Sequence, residues 1–358
     1  MTTVQVLLGE RSYPIRIEPG SLGELGEALV GEIEATRAVV ITSAKVAELH
    51  YGALATGMAR AHVALERLIV PDGERAKSLR VASRAYDQLV LLGVTRDTVL
   101  IGLGGGATCD LTGFVASTFL RGLPLVQVPT TLLAQVDASV GGKTAVNHRR
   151  GKNLIGTFYQ PRMVWIDPDV LATLPARERR AGLAEIIKVA AIWDADFFKW
   201  LEENLAAMLN LEREALRAAV ARACGIKAEV VGLDERESGL RALLNFGHTL
   251  GHAVEFAGGF RRIRHGEAVA IGMACAARIS ERRGFAPAGT ATRLVDLLAR
   301  AGLPTALPEL EMQRDAYLRG IAVDKKLAGE RVAFVVLREI GRAEQTRLAP
   351  EEILAGAE

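Results

Sequence analysis

Cysteine is scarce in this sequence of 358 residues. The three cysteines, Cys109, Cys224 and Cys275, lie far apart and form no C-x-x-C pair. This spacing argues against a thiolate metal site and against a disulfide framework. We therefore expect a protein of the reducing cytoplasm.

Runs of like charge and long apolar segments are also missing. Lys and Arg number 44 and Asp and Glu 42, which gives a net charge of +2, and the basic residues are scattered along the chain. We therefore expect no nucleic-acid partner. The N-terminus has no basic segment ahead of a long apolar run, and no later stretch approaches the span of a bilayer, so we expect neither secretion nor membrane insertion.

The composition is typical of a globular protein, since 49% of the residues are apolar and 24% are charged. The chain is also long enough for two domains. In the first half of the sequence, short apolar strand patterns alternate with helical patterns. After the strand at 124–128 the pattern predicts another loop and helix. This alternation predicts right-handed crossovers and a mostly parallel sheet. The predicted strands are 3–8, 13–18, 38–42, 63–70, 97–103, 124–128 and 163–166, and the predicted helices of this half include 78–92 and 107–120.

The second half changes to helical patterns almost throughout. The predicted helices are 177–192, 211–231, 248–257, 267–283 and 288–301, with a late hairpin at 331–336 and 343–348. We therefore predict an α/β protein with a Rossmann-like, mostly parallel sheet in domain 1–172 and a mainly α-helical domain in 173–358. We expect the domains to pack closely around a cleft.

A glycine cluster, Gly104 to Gly106, joins the buried strand 97–103 to a helix that contains Asp110. Glycine lets the backbone approach a pyrophosphate, and the helix N-terminus adds aligned N–H donors. The polar loops 71–74 and 129–131 end two further strands, and carboxyl-end loops are where open α/β sheets bind ligands. The sequence therefore predicts a nucleotide cofactor site, with simple chain turns as the alternative.

Three of the six histidines, His248, His252 and His265, fall within eighteen residues. The i, i+4 spacing of His248 and His252 favours these two as ligands of one divalent ion. On an earlier apolar helix, Glu185 and Lys188 lie three residues apart, and charges in such a setting need partners. A carboxylate with imidazoles suits zinc. Satisfied polar histidines and a surface ion pair are the alternatives.

Cationic and amide side chains follow several glycine turns. Lys143 and Lys152 lie beside glycines, a setting that suits anionic groups, and Asp137 precedes them. Further donors are Lys227, Arg241, Asn245, Lys325 and Lys326. Together they predict a substrate with two anionic ends. For any single lysine, the alternative interpretation is that it lies on a solvated surface and binds no ligand.

Several separated motifs, in this order, resemble the 3-dehydroquinate synthase family of sugar-phosphate cyclases over essentially the whole chain. No single motif would suffice, but their shared order and spacing make a chance match very improbable. The motifs are Asp72-Gly73-Glu74 with Lys77, the glycine loop ending in Asp110, Phe119-Leu120-Arg121-Gly122, Pro129-Thr130-Thr131, Val136-Asp137-Ala138-Ser139, Gly141-Gly142-Lys143-Thr144, Gly151-Lys152-Asn153, Ala184-Glu185-Ile186-Ile187-Lys188, Arg241 to Asn245, Gly247-His248-Thr249-Leu250-Gly251-His252 and His265-Gly266-Glu267.

The resemblance implies a role for each matching residue and corrects the spacing argument, because it assigns zinc or cobalt to Glu185, His248 and His265 and turns His252 toward the substrate. The implied catalytic residues are Asp137, Lys143, Lys188 and His252. The implied substrate contacts are Arg121, Asn153, Lys227, Arg241, Asn245 and a lysine of the pair Lys325 and Lys326. The implied NAD contacts are Asp72, Gly73, Glu74, Lys77, Gly105, Gly106, Asp110, Thr130, Thr131, Lys143, Lys152 and the loop around Thr173.

The family's reaction, also implied by the resemblance, belongs to the shikimate pathway of aromatic amino acid biosynthesis. It converts the phosphorylated keto acid 3-deoxy-D-arabino-heptulosonate 7-phosphate to 3-dehydroquinate and phosphate. Oxidation, β-elimination, reduction and aldol cyclisation follow one another, and NAD is regenerated. The resemblance further implies a homodimer in which Arg121 reaches the partner subunit's site.

Two residues depart from the family pattern. Cys109 precedes Asp110 where glycine is common, and Ser43 replaces an acidic or amide residue that commonly contacts the adenosine ribose, which affects the expected NAD affinity. Three other functions are alternatives. A sister cyclase such as 2-deoxy-scyllo-inosose synthase uses a substrate without a carboxylate, which Arg241 and Asn245 disfavour. A polyol or glycerol dehydrogenase would consume NAD, and a nucleotide-binding module would have lost its reaction.

Overall fold

The computed structural model describes residues 1–257, 263–307, 314–323 and 331–355. The chain divides into two compact units. The first consists of Met1–Pro175 and Leu216–Arg236, and the second of Ala176–Ala215 and Glu237–Glu358. The helical segment 216–236 thus groups with the sheet, although it follows residue 173 in the sequence.

A seven-stranded sheet forms the centre of the first unit, and a separate two-stranded hairpin accompanies it. The strand order is β1-β2-β9-β6-β5-β3-β4, parallel throughout except for the antiparallel pair β1 and β2 at one edge. This confirms the predicted mostly parallel sheet. The strands of the unit are β1 Thr2–Val6, β2 Tyr13–Ile17, β3 Arg37–Ser43, β4 Ala64–Val70, β5 Val99–Gly104, β6 Leu125–Pro129, β7 Lys143–His148, β8 Gly151–Phe158 and β9 Met163–Ile166.

Two apolar cores form in the first unit because successive strand residues point to opposite sides of the sheet. Val39 and Ile41 of β3 belong to one core, whereas Ala38 and Val40 belong to the other. The helices between the strands contribute buried Leu, Val, Ala and Phe side chains to the first core and buried Leu and Met side chains to the second. Those helices are α1 Leu25–Ile33, α2 Ala44–Val46, α3 Gly52–Arg60, α4 Leu79–Leu91 and α5 Gly106–Thr118.

After β6 a loop leads into a short helix, Ala134–Ala138, in agreement with the predicted loop and helix, but the hairpin β7–β8 that follows was not predicted. All residues of β8 are exposed or half-buried. A strand without a buried face has no reason to alternate apolar and polar residues, and that alternation is the main sequence signal for a strand. The hairpin is therefore hard to recognise from its sequence.

The second unit is mainly helical, as predicted. Its β structure in the described residues is the antiparallel hairpin β10 Val332–Glu339 with β11 Arg342–Leu348. The helices after β9 are α6 Ala176–Trp193, α7 Ala195–Leu209, α8 Arg213–Leu233, most of which belongs to the first unit, α9 His248–Ala257, α10 His265–Arg282, α11 Thr290–Arg300, α12 Arg314–Val323 and α13 Pro350–Ala355.

Helix α10 contacts its neighbours backbone to backbone at two glycines. A Cβ at Gly266 would lie 1.9 Å from the carbonyl oxygen of Ala181 in α6. A Cβ at Gly272 would lie 1.8 Å from the carbonyl oxygen of Gly247, the residue before α9. Both distances are far below van der Waals contact, so glycine is what lets these three helices approach closely.

The three cysteines are free and buried. Burial raises the pKa of the Cys224 thiol to about 12 and that of Cys275 to about 11. These thiols therefore stay protonated and unreactive at neutral pH. In the part of the chain that the structure describes, no helix is both long enough and apolar enough to cross a bilayer.

Candidate active site

The glycine loop lies in the first unit at the carboxyl end of β5, where Gly105 caps the N-terminus of α5. A Cβ at Gly104 would lie 2.7 Å from the Thr108 side chain, and one at Gly105 would lie 3.1 Å from Cγ2 of Thr131. The loops after β5 and β6 therefore meet, and the backbone N of Thr130 donates to the Gly104 carbonyl at 2.9 Å. This meeting of two polar loops at a helix N-terminus suits a phosphate group.

A charged network connects the loop after β4 with helix α5 and the hairpin β7–β8. The buried ammonium of Lys77 is in ion-pair contact with Asp110 and donates to Oδ1 of Asn153 at 2.5 Å. The backbone N of Asn153 donates to the side chain of Asn147 at 2.9 Å, and Asn147 donates to Glu74 at 2.7 Å. The structure thus links three predicted NAD contacts and one predicted substrate contact.

Burial raises the pKa of Asp110 to about 6, although the nearby Lys77 ammonium acts in the opposite direction. Desolvation disfavours the charged carboxylate, and an adjacent cation favours it. Cys109, the departure next to it, is buried, and its Sγ contacts the Gly104 carbonyl at 3.8 Å. Its side chain therefore contacts the inner side of the glycine loop.

Ser43, the other departure from the family pattern, is buried, and its Oγ accepts from the backbone N of Val46 at 3.4 Å. Thr173 lies in the first unit too, where its hydroxyl donates to the Val170 carbonyl at 2.8 Å and lies 3.1 Å from Nε2 of His50. Sequence reasoning missed His50, because a lone histidine carries no spacing signal.

The buried Lys227 contacts the half-buried Asp137 in the first unit. The Lys227 ammonium, on α8, donates to the Asp137 carbonyl at 2.6 Å and is in ion-pair contact with its carboxylate. Cys224, one turn earlier, donates to the Gln135 carbonyl at 3.3 Å. These contacts explain why segment 216–236 belongs to the first unit, and they bring together two residues predicted to serve the substrate.

A hydrogen bond and close packing against neighbouring side chains fix the glycine turn before Lys143. The backbone N of Gly141 donates to the Tyr13 hydroxyl at 3.0 Å. Gly142 has a φ of +68°, and a Cβ there would lie 2.6 Å from the side chain of Gln160, so only glycine fits. The turn leaves Lys143 exposed, and the predicted contacts Asp72, Gly73, Arg121 and Lys152 are exposed as well.

The second unit brings Glu185 of α6 together with His248 of α9 and His265 of α10. Nε2 of His248 and Nε2 of His265 lie 3.7 and 3.8 Å from Oε1 of Glu185, and the three side chains form a group able to hold a metal ion. Both carboxylate oxygens of Glu185 are buried without a hydrogen-bond partner among the described residues, although the Lys188 ammonium is in ion-pair contact with the carboxylate.

The pKa of His248 lies well below its ordinary value, chiefly because of burial and then because of Lys188 and the neighbouring histidines. Its Nδ1 lies 3.2 Å from the Phe246 carbonyl oxygen. A neutral imidazole with one nitrogen held by a carbonyl presents the other nitrogen as a ligand. The donor set therefore fits a divalent ion such as zinc.

His252 does not group with Glu185 but with Glu255 and His265, in a second set of three possible ligands. Its ring centroid lies 5.4 Å from that of His248. Sequence reasoning missed Glu255, although its position three residues after His252 and seven after His248 was a usable signal, since all three then share a helix face.

The remaining predicted substrate contacts of the second unit differ in exposure. Arg241 is buried in a 3-10 turn, and the amide of Asn245 in the same turn donates to Glu237 at 2.8 Å. Lys325 and Lys326 lie outside the described residues. The roles of all these side chains stay predictions.

Comparisons with known proteins cover the whole chain. Residues 67–181 match the profile of the 3-dehydroquinate synthase N-terminal domain, and residues 182–327 match that of the C-terminal domain. A 3-dehydroquinate synthase from Pseudoalteromonas atlantica is 46% identical over 99% of both chains.

Two solved structures share the fold. A 2-epi-5-epi-valiolone synthase from Streptomyces hygroscopicus, with NAD+ and Zn2+ bound, is 31% identical, with a TM-score of 0.88 over 98% of this chain and 97% of its own. A 2-deoxy-scyllo-inosose synthase, complexed with carbaglucose-6-phosphate, NAD+ and Co2+, is 27% identical, with a TM-score of 0.89 over 99% of both chains.

Proposed function

Because the chain belongs to the 3-dehydroquinate synthase family, we propose that it converts 3-deoxy-D-arabino-heptulosonate 7-phosphate to 3-dehydroquinate and phosphate with NAD and a divalent metal ion. The observation that carries the metal part is Oε1 of the buried Glu185 carboxylate, which has no hydrogen bond in the described residues and faces two imidazoles. Lys188 contacts Oε2, so Oε1 is the oxygen left to gain from a further cation held between it and the two imidazoles.

Glu185, His248 and His265 would hold zinc or cobalt and leave coordination positions for the substrate. When bound, the ion would supply a Lewis acid that lowers the pKa of a substrate hydroxyl, and NAD would supply reversible hydride transfer. Lys188, in contact with Glu185, places a positive charge beside the substrate, and His252 offers an imidazole for proton exchange with a substrate hydroxyl.

The first unit would bind NAD. The backbone at Gly105 and Gly106 and the N-terminus of α5 receive the pyrophosphate, supported by the hydroxyls of Thr130 and Thr131. The further proposed contacts are Asp72, Gly73, Glu74, Lys77, Asp110, Lys143, Lys152 and Thr173.

Substrate recognition would use the cationic side chains. Lys143 and Arg121 stabilise the phosphate as it leaves by β-elimination, with its own oxygen as the base. Arg241 binds the carboxylate, because a guanidinium matches its two oxygens. Asp137 and Lys227, already paired with each other, orient the polar middle of the substrate together with Asn153 and Asn245.

The test is to incubate the protein with NAD, zinc and the heptulosonate phosphate, and to follow phosphate and the absorbance of reduced nicotinamide. We expect phosphate to accumulate while reduced nicotinamide does not, because NAD is regenerated in each turnover. The matched control is Glu185→Ala, which should release no phosphate. Accumulating reduced nicotinamide would indicate a dehydrogenase instead.

A sister sugar-phosphate cyclase is the second candidate, favoured by the structural likeness to 2-deoxy-scyllo-inosose synthase. Its substrate would lack the carboxylate for which the buried Arg241 is proposed. Glucose 6-phosphate, offered in the same assay, separates the two functions: phosphate release from the sugar phosphate but not from the heptulosonate phosphate would establish the second.

We further propose a cytoplasmic homodimer in which Arg121 completes the phosphate pocket of the partner subunit. Arg121 is exposed at the end of α5, and it and the exposed Leu120 have positive φ angles of 65° and 49°. Left-handed residues at such positions end a helix, so the exposed Arg121 follows directly on a helix end. A purely structural helix end is the alternative role of Arg121.

Subunit mixing tests the shared pocket. Arg121→Ala and Glu185→Ala should each be nearly inactive, but a heterodimer has one pocket with both natural residues. Random exchange of equal amounts should restore about a quarter of the natural activity, because half the dimers are mixed and each has one intact pocket. If mass measurements demonstrate exchange and activity stays absent, Arg121 does not act across subunits.

A further inference from the structure

The imidazole of His265 lies between two carboxylates. Its Nε2 is 3.8 Å from Oε1 of Glu185, and its Nδ1 is 3.5 Å from Oε2 of Glu255. The two acids come from different helices, α6 and α9, while His265 is the first residue of α10. Each ring nitrogen therefore faces a different carboxylate.

Close helix packing brings Glu255 to this ring. Gly272 of α10 meets Gly247 backbone to backbone, and a Cβ at Gly251 of α9 would lie 3.1 Å from the Ala268 carbonyl oxygen. With α9 and α10 this close, Glu255 reaches the beginning of α10. Only 8% of Glu255 is exposed, and a buried carboxylate requires polar partners.

We propose that Glu255 is a positioning residue for His265. Its carboxylate accepts from Nδ1–H and thereby fixes the tautomer whose Nε2 lone pair points toward Glu185. A carboxylate behind a metal-binding imidazole raises the basicity of the ligand nitrogen and restricts rotation of the ring. The inference rests on the proposed metal role of Glu185, His248 and His265.

A second ion is the competing interpretation, since possible ligand atoms of His252, Glu255 and His265 lie within 4.8 Å of one another. Two ions at once would require both nitrogens of His265 as ligands, and the ring would have to lose its Nδ1 proton. A hydrogen bond from Nδ1–H needs no such loss, and it leaves Nε2 available. The geometry therefore favours one ion and one supporting carboxylate.

The experiment measures metal binding rather than turnover. The metal-free protein is titrated with Co2+ in the absence of NAD and substrate, and affinity and stoichiometry are read from the visible absorption of cobalt and from equilibrium dialysis. We expect one ion per chain. Glu255→Gln keeps an acceptor but loses the charge, so it should weaken binding about tenfold, and Glu255→Ala should weaken it up to about a hundredfold.

The matched control is Glu178→Gln. Glu178 pairs with Arg264, the residue before His265, at 2.8 Å, so this variant removes a carboxylate near the start of α10 without touching the ring. Cobalt affinity should be unchanged in it. Thermal unfolding of the metal-free variants separates positioning from folding, and we expect Glu255→Gln and Glu178→Gln to unfold within a few degrees of the natural protein.

Four outcomes would overturn the proposal. Unchanged cobalt affinity in both Glu255 variants would show that the carboxylate does not support His265. Two ions per natural chain and one in Glu255→Gln would establish the second site instead. A loss of metal-free stability that parallels the loss of affinity would assign Glu255 a structural role. If the natural chain bound no ion, the proposed metal role itself would fail along with this one.

Discussion

Each unit contains a buried lysine in contact with a carboxylate, Lys77 with Asp110 in the first and Lys188 with Glu185 in the second. In the first unit the lysine also donates to Asn153, which continues into a network of side-chain hydrogen bonds. In the second unit both oxygens of Glu185 are buried without a hydrogen bond to the described residues.

This difference separates two ways of keeping charge inside a protein. Lys77 and Asp110 are stabilised mainly by the protein itself, so a ligand that arrives there must exchange or extend existing hydrogen bonds. Glu185 contacts Lys188 through Oε2, but its Oε1 has no hydrogen bond in the described residues and lies beside two imidazoles, an arrangement that gains stability when a further cation binds. The first pair suits cofactor contacts, and the second suits a metal ligand.

The largest effect should come from Glu185→Gln. Removing the charged ligand should weaken metal binding by more than about a hundredfold, which exceeds the usual cost of removing a supporting residue, and should abolish phosphate release. Asp110→Asn should leave metal affinity unchanged while it weakens NAD binding. Metal content and NAD affinity are measured for both variants. Equal loss of metal in the two would show that the pair Lys77 and Asp110 does not differ in function from the pair Lys188 and Glu185.

A smaller but decisive effect should separate His265 from His252. His265→Ala removes a proposed ligand and should lower bound metal and activity together. His252→Ala should lower activity and keep the metal, because His252 does not group with Glu185. Metal content by mass spectrometry after dialysis is the measurement. Metal lost from His252→Ala and retained in His265→Ala would mean that the i, i+4 spacing identifies the ligands correctly.

The smallest effect concerns the titration of Asp110. Its pKa is raised from 3.8 to about 6. The folded state therefore keeps this proton to higher pH than the unfolded state, so the contribution of Asp110 to the free energy of unfolding falls as pH rises from about 4 to about 6. We therefore compare the free energy of unfolding of the natural protein with that of Asp110→Asn, both measured with denaturant. The value for the natural protein minus that for the variant should fall by on the order of 2 kcal/mol over this range. A difference that rises with pH would mean that Lys77 outweighs burial.

Most of the fold could be predicted from the sequence because buried strands and amphipathic helices carry periodic signals. The strand predicted at 38–42 is Arg37–Ser43, and the helix predicted at 177–192 is Ala176–Trp193. The hairpin β7–β8 was not predicted, because its second strand has no buried face. Local hydrophobic periodicity arises from burial of one face, so it gives no signal where a strand is exposed on both sides.

The candidate metal site shows a different limit. Spacing selects His248 and His252, which share a helix, but the group around Glu185 takes His265 from another helix. Which helices pack together is a tertiary property, and no local spacing contains it. The family resemblance implies Glu185, His248 and His265 as a set, and the contact of Glu255 with His265 depends on the packing of α9 against α10.

The glycines of α10 would behave unusually in a mutational screen. Every substitution at Gly266 or Gly272 adds a Cβ where a neighbouring carbonyl oxygen already lies. We expect these two positions to tolerate no change, as we expect of the proposed ligand His265, although they carry no functional group. A ranking of residues by intolerance would therefore place packing glycines beside chemical ligands, and metal content measured on the folded fraction of each variant would tell the two classes apart.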